Sequence, residues 1–322
     1  MKAVIFKQTG EAEEVLALAE VAAPVPGAGE LLIQVSARPI HPADFMFIAG
    51  RYRVKPVFPQ VAGFDGVGTI VACGQGVQGF SSGERVAFRS PGAWAELVAA
   101  PVGKVYRVPT AIADELACQF PLNPLTAWGL LASCNLQLGN RVLITAGHSV
   151  VARLLTAICL RKGFEPFLLV RDAAGYRVID GASEQNLVTA ATVSEVLLGL
   201  PGQLRFQAIL DAVGGAATPA LIDVIEPGGC LITYGVLDDT PLSLKSSILL
   251  FKNLRWLGFG VDAWLKQTSP EQLAAASEEL WTLLEEQPGL LPVIGTFPLE
   301  QVAEAVAAVR SQREPGKVLL QS

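Results

Sequence analysis

Up to about Cys118 the chain breaks into short apolar runs punctuated by Gly and Pro: KAVIF, ELLIQVSA, GVGTIVACG, GERVAF and AWAELVAA. Runs of this length, rich in Val, Ile and Phe and closed by turn formers, predict strands, and their spacing predicts an irregular, barrel-like β unit. Beyond Cys118 the period changes. A helix-like segment around Leu122 to Cys134 gives way to RVLITAG, then SVVARLLTAICLRKG, then EPFLLVRD. That is strand, turn, helix and strand within about thirty residues. The unbroken apolar run VLIT suits a parallel strand covered on both faces. QAILDAVGG, TPALIDVI, the turn EPGG and CLITYGV continue the alternation, which predicts an α/β fold with a doubly wound parallel sheet. The chain closes with two amphipathic segments, EQLAAASEELWTLLEEQ and QVAEAVAAVRSQ, and a last strand, KVLLQ; no internal repeat is visible.

Composition narrows the function classes. A chain of 322 residues with 51% hydrophobic and 17% charged positions has ample apolar surface to bury in about two domains, which argues against disorder. The formal net charge of −6 sets the overall field against a polyanion, so nucleic acid is not an expected partner. No apolar run approaches the roughly 20 residues that cross a bilayer, and MKAVIFKQTGEAEE turns acidic before a signal-like core develops, so a cytoplasmic protein without membrane partners is expected. Cys73, Cys118, Cys134, Cys159 and Cys230 are odd in number and never form CxxC, which predicts buried thiols in a reducing compartment. His41 and His148 are the only histidines. No cluster offers them metal-ligand companions, so no metal is expected.

The turn Thr145 to Val151 stands where a nucleotide fold brings a diphosphate to a helix N-terminus, with Gly147, Ser149 and Val150 as candidate contacts. Its glycine pattern is depleted. Val151 occupies the place of a helix-packing glycine, and the segment alone leaves a cofactor site and a plain structural turn both open. The following strand ends in Val170-Arg171-Asp172. An acidic residue there suits a free ribose 2′-hydroxyl and an arginine a 2′-phosphate, so the leading Arg171 favours NADPH over NADH, with Arg177 as a second candidate. The competing reading is a surface Arg-Asp pair of little energetic weight.

HPADFMFIAGRY, GFDGVG, GERVAF, NPLTAWGLL, DAVGG, ITYG and GKVLL follow one another in a single order. With that set, the chain resembles the zinc-free medium-chain dehydrogenase/reductase superfamily. Adding SILLFKNLRWLGFGVDAWLKQTSPEQL, it is similar in detail to the 2-enoyl thioester reductases of the mitochondrial type, with quinone oxidoreductases as near relatives. The resemblance implies a GroES-like catalytic domain (1–117), a Rossmann cofactor domain (118–260), a C-terminal return to the catalytic domain (261–322), and an active site in the cleft between them. It implies a homodimer through the sheet edge at SILLFKNLRWLGF. It also implies no zinc, because Gly63-Phe64-Asp65 stands where zinc-dependent members carry Gly-His-Glu.

The chemistry so implied is hydride transfer from NADPH to the β carbon of an α,β-unsaturated carbonyl, which needs a hydrogen-bond donor for the developing enolate. Tyr52 matches the family's catalytic tyrosine; its alternative is a loop cap. Asn123 and Thr126 match positions near nicotinamide and substrate, although Asn-Pro also begins ordinary helices. His41 stands where relatives carry Asn, keeping a donor whose charge could follow pH. Tyr234, Gly235, Phe259 and Lys317 carry over as cofactor contacts. Arg51, Arg53 and Lys55 surround Tyr52 and suit the phosphates of an acyl-CoA or of an acyl carrier protein's arm, against the plainer reading of a solvated loop. Trp264 is a candidate for the acyl pocket. Quinone reduction is the enzymatic rival, and a non-catalytic interaction module is the second alternative.

Overall fold

The computed structural model describes residues 1–312 and 314–322. Its two compact units are Met1–Asn123 with Glu278–Ser322, and Pro124–Ser277.

In the first unit a three-stranded antiparallel sheet runs in the order Ala17–Glu20, Lys2–Phe6, Gln60–Val61. A larger sheet follows the order Val293–Pro298, Lys317–Gln321, Glu30–Pro39, Asp65–Cys73, Arg85–Arg89, Val105–Arg107, with Leu97–Pro101 also paired to Glu30–Pro39. The long strand Glu30–Pro39 shows why the pattern ELLIQVSA works: Leu31, Ile33, Val35 and Ala37 alternate into the core, the period of two that a half-buried strand requires. The C-terminal strand joins the N-terminal sheet antiparallel to residues 37–39. Phe6, Phe47, Phe88 and Trp94 fill the core beneath.

Arg38 is fully buried in this unit. Its guanidinium donates to the carbonyls of Ala93 (3.2 Å) and Ala95 (2.7 Å) and to Ser322 Oγ (2.7 Å), so backbone oxygens take the place of water around the charge. Burial still pulls its pKa down to about 10. One helix inside the β unit escapes the apolar pattern. Pro42–Ile48 begins at His41 with Pro at its first position, and Asp44 Oδ2 accepts from the His41 N–H at 2.7 Å. Too short to show a period, it is signalled only by that cap.

The second unit carries a seven-stranded sheet in the order Asn186–Ala190, Gly175–Asp180, Glu165–Asp172, Arg141–Ile144, Phe206–Asp211, Ile225–Thr233, Arg255–Gly258. The last five strands of that order are parallel, as the βα alternation predicts. Beyond Asp172 the alternation stops. The chain reverses within DAAG, and Gly175–Asp180 returns antiparallel, register Arg171↔Tyr176 and Asp172↔Gly175, before Asn186–Ala190 adds a third antiparallel strand. The cause is local: Asp172 Oδ1 accepts from the Ala174 N–H at 2.8 Å, and Gly175 adopts a φ of 118° that a side chain would resist. A Thr192/Glu195 capping box then starts the helix Val193–Leu198.

Four of the five cysteines are buried as expected, but Cys73 is exposed, because it ends the strand Asp65–Cys73 where the sheet runs out to its margin. Among the described residues, no helix is long and apolar enough to cross a membrane.

At Gly68 two strands lie so close that a Cβ would fall 2.0 Å from the Gln34 carbonyl oxygen. Gly68→Ala should therefore force the central pairing apart and lower stability by about 2–4 kcal/mol, read as a lower denaturation midpoint with an unchanged m-value.

Candidate active site

The strands Asp65–Cys73 and Arg85–Arg89 pair antiparallel with Asp65 opposite Arg89, so sheet register itself builds the centre of the first unit's polar cluster. The Arg89 guanidinium holds Asp65 Oδ2 on one side and donates to Tyr52 Oη at 3.2 Å on the other. Tyr52 lies against Phe64 with centroids 5.4 Å apart, and Phe64 against Phe47 at 4.8 Å. The Arg89 Cζ sits 5.3 Å over the Phe64 ring. The tyrosine is thus gripped on its ring by aromatic carbon and at its oxygen by a cation. A phenol oxygen that accepts from Arg89 keeps its own O–H to donate elsewhere.

Behind this pair lie His41 and Asp44, each 1% exposed, and the half-buried Lys317. His41 Nε2 is 3.7 Å from Asp65 Oδ2, and among the described residues neither ring nitrogen makes a hydrogen bond. Burial, reinforced by the Lys317 and Arg89 charges, drives the imidazole well below its ordinary value. The expected pH-dependent charge at His41 is therefore not what the fold provides: the ring stays neutral. Burial and then the neighbouring Asp65 charge push Asp44 up to about 7. Burial also raises Asp65, with Arg89 pulling it back. Burial opposes the Arg89 cation, yet Asp65 more than offsets it and the net shift is upward. Lys317 is drawn down to about 8 by burial, with Asp44 and Asp65 resisting.

The second unit contains a cavity of about 570 Å³ at the C-terminal ends of its parallel strands, a size that suits a nucleotide. Gly147, His148 and Ser149 line it from the turn before the helix Val150–Arg161, and Arg171 and Tyr176 line it from the hairpin. Ser149 caps that helix, accepting from the Ala152 N–H at 3.1 Å. Ala146 adopts a φ of 50°, the kind of strained backbone that clusters where ligands are clamped. A Cβ on Gly147 would fall 2.6 Å from Val170 Cγ1, so this glycine serves the close helix-strand packing that its loss at position 151 seemed to forfeit. Val150 is buried at the helix start, and Val151, half-buried, lies outside the cavity wall. A cationic side chain at one end and a helix N-terminus at the other form a donor set that fits a phosphorylated dinucleotide.

The remaining candidates fall in four places. Asn123 and Thr126 stand one turn apart at the start of the helix Asn123–Ala132, both buried, and Asn123 Nδ2 has no hydrogen-bond partner among the described residues. Tyr234 follows the strand Ile225–Thr233 with a buried hydroxyl that also lacks a partner among the described residues, and Gly235 lines a smaller cavity of about 330 Å³. Phe259 and Trp264 lie with centroids 6.4 Å apart. A Cβ on Gly129 would meet both within 2.8 Å, so the bare helix face admits the aromatic pair. Arg51 is exposed and 3.8 Å from Glu11, Arg53 lies 5.6 Å from the Tyr52 ring centroid, and Lys55 Nζ donates to the Gly50 carbonyl at 2.9 Å.

Four residues of these polar clusters were not picked out from the sequence. Asp44, Asp65 and Arg89 sit inside or beside quoted motifs, but nothing local marks them as partners, since only sheet register joins positions 65 and 89. Asp211 is the fourth. Its fully buried carboxylate accepts from Thr145 Oγ1 (2.8 Å), the Val213 N–H (3.0 Å) and the Gly214 N–H (3.2 Å), fixing the loop that walls the cavity. The signal was the Asp that opens DAVGG.

The first unit's donors do not fit a zinc ion. Asp65 is already paired to a guanidinium, Lys317 adds a second cation, and among the described residues no group of three His, Cys, Asp or Glu side chains is placed to hold a metal.

The Asp44 carboxyl binds its proton up to about 7 in the fold but only to 3.8 when free, so the wild type loses stability as pH climbs between those values. Asp44→Asn removes that ionisation. Its stability relative to wild type should rise from pH 4 to pH 8 by at most about 4 kcal/mol, measured by denaturant titration at each pH.

The alcohol dehydrogenase GroES-like domain family matches residues 27–110, and the zinc-binding dehydrogenase family matches residues 178–320. The mitochondrial enoyl-acyl-carrier-protein reductase of Arabidopsis thaliana is 30% identical, covering 82% of this chain and 73% of its own. That of Bos taurus is 27% identical over 96% of this chain and 85% of its own. Among solved structures, a mycobacterial quinone oxidoreductase is 25% identical with a TM-score of 0.85, covering 100% of both chains. A mycobacterial protein complexed with NADPH is 25% identical with a TM-score of 0.82, again over 100% of both. With two domain families matched in order and a relative of this identity spanning most of both chains, the chain belongs to the medium-chain dehydrogenase/reductase superfamily.

Proposed function

We propose that the protein is an NADPH-dependent reductase of the C=C bond of an α,β-unsaturated carbonyl, with a trans-2-enoyl thioester as its substrate class. The observation that carries this reading is Tyr52, a phenol whose oxygen is held by the buried Arg89-Asp65 pair and whose proton is left to donate. Kinship with enoyl-acyl-carrier-protein reductases supports the thioester, and a relative complexed with NADPH supports the coenzyme.

Bound in the second unit's cavity, NADPH supplies the hydride. Gly147, Ser149 and Val150 set the helix start that would hold the diphosphate, Arg171 would take the 2′-phosphate, and Tyr234, Gly235 and Phe259 would serve the nicotinamide end. Tyr52 donates its hydrogen bond to the carbonyl oxygen as hydride reaches the β carbon and negative charge develops there; its proton then ends on the α carbon, while Arg89 steadies the charge left on the phenol oxygen. Asn123 and Thr126 orient the reacting groups, and the unpartnered Asn123 amide is a donor kept for that purpose. His41 and Lys317 position the cluster behind Tyr52. Arg51 and Arg53 offer charge to the substrate's phosphates, and Trp264 offers apolar surface to its acyl chain. In this reading the cationic Arg89 and Lys317 occupy the electrostatic place of a metal, and no zinc takes part.

A quinone is the second substrate reading, favoured by structural similarity to a quinone oxidoreductase. Electron transfer to a planar ring depends less on a proton donor. Tyr52→Phe should reduce kcat on crotonyl-CoA by about 10²–10³-fold and leave micromolar NADPH binding, followed by nicotinamide fluorescence, intact. Equal small losses on the thioester and on a quinone would favour the second reading, and absent NADPH binding by the wild type would remove both.

The same reading includes a homodimer. Arg255–Gly258 is an edge strand of the second unit's sheet, and Leu250 and Phe251 beside it are 74% and 82% exposed, an edge that a second copy would cover. Light scattering should give twice the 34.0 kDa chain mass for the wild type and a monomer for Phe251→Asp.

A further inference from the structure

The hairpin at the end of the nucleotide cavity poses an electrostatic problem. If NADPH binds there, as proposed above, its 2′-phosphate arrives at the end of the strand Glu165–Asp172, where Arg171 is followed at once by a carboxylate. An acidic residue at this place normally takes the free hydroxyl of NADH and repels a phosphate.

The antiparallel return of the chain supplies an answer. Directly opposed residues of a hairpin share a face, and diagonal neighbours two positions on share it too. Arg171 faces Tyr176, its Cζ 5.6 Å from the ring centroid, and both line the cavity. Asp172 and Arg177 lie diagonally on the other face, where Arg177 Nη2 meets Asp172 Oδ2 at 2.6 Å. The second carboxylate oxygen accepts the Ala174 N–H at 2.8 Å. Both oxygens of Asp172 are engaged within the hairpin. Each side chain of the pair is only about one-third exposed (34% and 31%), which shields the contact from solvent more than a fully exposed pair would be. A parallel βαβ crossover would send the chain away at this point; the hairpin instead brings a cation back alongside the strand it has just left.

We propose that Arg177 determines coenzyme choice without touching the coenzyme: by neutralising Asp172 it silences the carboxylate that would select NADH, and so lets Arg171 select NADPH. This rests on the coenzyme reading given above and adds to it a residue that acts through another. Arg177 is a positioning and charge-compensating residue, and Tyr176 holds the Arg171 guanidinium at the cavity wall while Arg177 holds Asp172 away from it.

The test is titration of the purified protein with NADPH and with NADH, followed by nicotinamide fluorescence, for the wild type, Arg177→Gln, and Arg177→Gln combined with Asp172→Asn. A freed carboxylate beside a phosphate should weaken NADPH binding by about tenfold. NADH binding should tighten or stay the same in that variant, and the double variant should regain NADPH affinity to within about threefold of wild type. A loss confined to NADPH is a result that mere loosening of the hairpin does not produce. Parallel loss of both coenzymes, or a double variant that keeps the loss of the single one, overturns the proposal, the latter by placing Arg177 on the phosphate itself. A wild type that binds neither coenzyme instead overturns the coenzyme reading on which the proposal stands.

Discussion

The first unit's site depends on one buried ion pair. Asp65 and Arg89 face each other across antiparallel strands, 1% and 4% exposed, and neither charge is affordable in that place without the other. Because the pair is set by sheet register, it is as rigid as the sheet. Arg89 extends that rigidity outward to Tyr52 Oη, so a loop residue acquires the precision of a strand residue. The cluster behind it is balanced in the same way: Asp44 shares the neighbourhood of Lys317 and of Asp65, and the ionisation of each is shaped by the others. His41 remains neutral among them, its Nε2 3.7 Å from Asp65 Oδ2 and neither ring nitrogen hydrogen-bonded among the described residues.

The second unit solves a comparable problem with backbone. Asp211 gathers a threonine hydroxyl and two main-chain N–H groups, holding the loop after one strand against the loop after another. Gly147 allows the helix-start turn to lie directly on Val170 and Leu168. Packing and hydrogen bonding thus shape a cavity whose walls are mostly turns, and turns carry the chemical variation while the parallel strands stay the same.

The layered α/β architecture was readable because its strands are continuous apolar runs at regular spacing, and VLIT, AILD and CLIT all became central strands. Ser149 and Arg171 were readable because helix caps and strand ends are local features, and both line the cavity. The hairpin beyond Asp172 was not. GYRVID and NLVTA have the look of strands, but strand direction is decided by the reversal at Ala173-Ala174-Gly175, not by periodicity. The pairing of Asp65 with Arg89 was hidden for a different reason, since 24 residues separate them and only the register joins them. The depleted glycine turn was harder to read: Gly147 supplies a close approach to Val170 and Leu168, and Val151 is not among the residues that line the cavity.

The distribution of sulfur gives the molecule an experimental convenience. Cys118, Cys134, Cys159 and Cys230 are enclosed by the two cores, while Cys73 alone among the five reaches solvent, on a strand that also carries Asp65 at its other end. A thiol-reactive dye or spin label offered to the folded chain has a single place to attach. That attachment point is tied by one short stretch of sheet to the charge pair beneath the tyrosine, so a probe there would report on that strand without any cysteine having to be engineered in or removed.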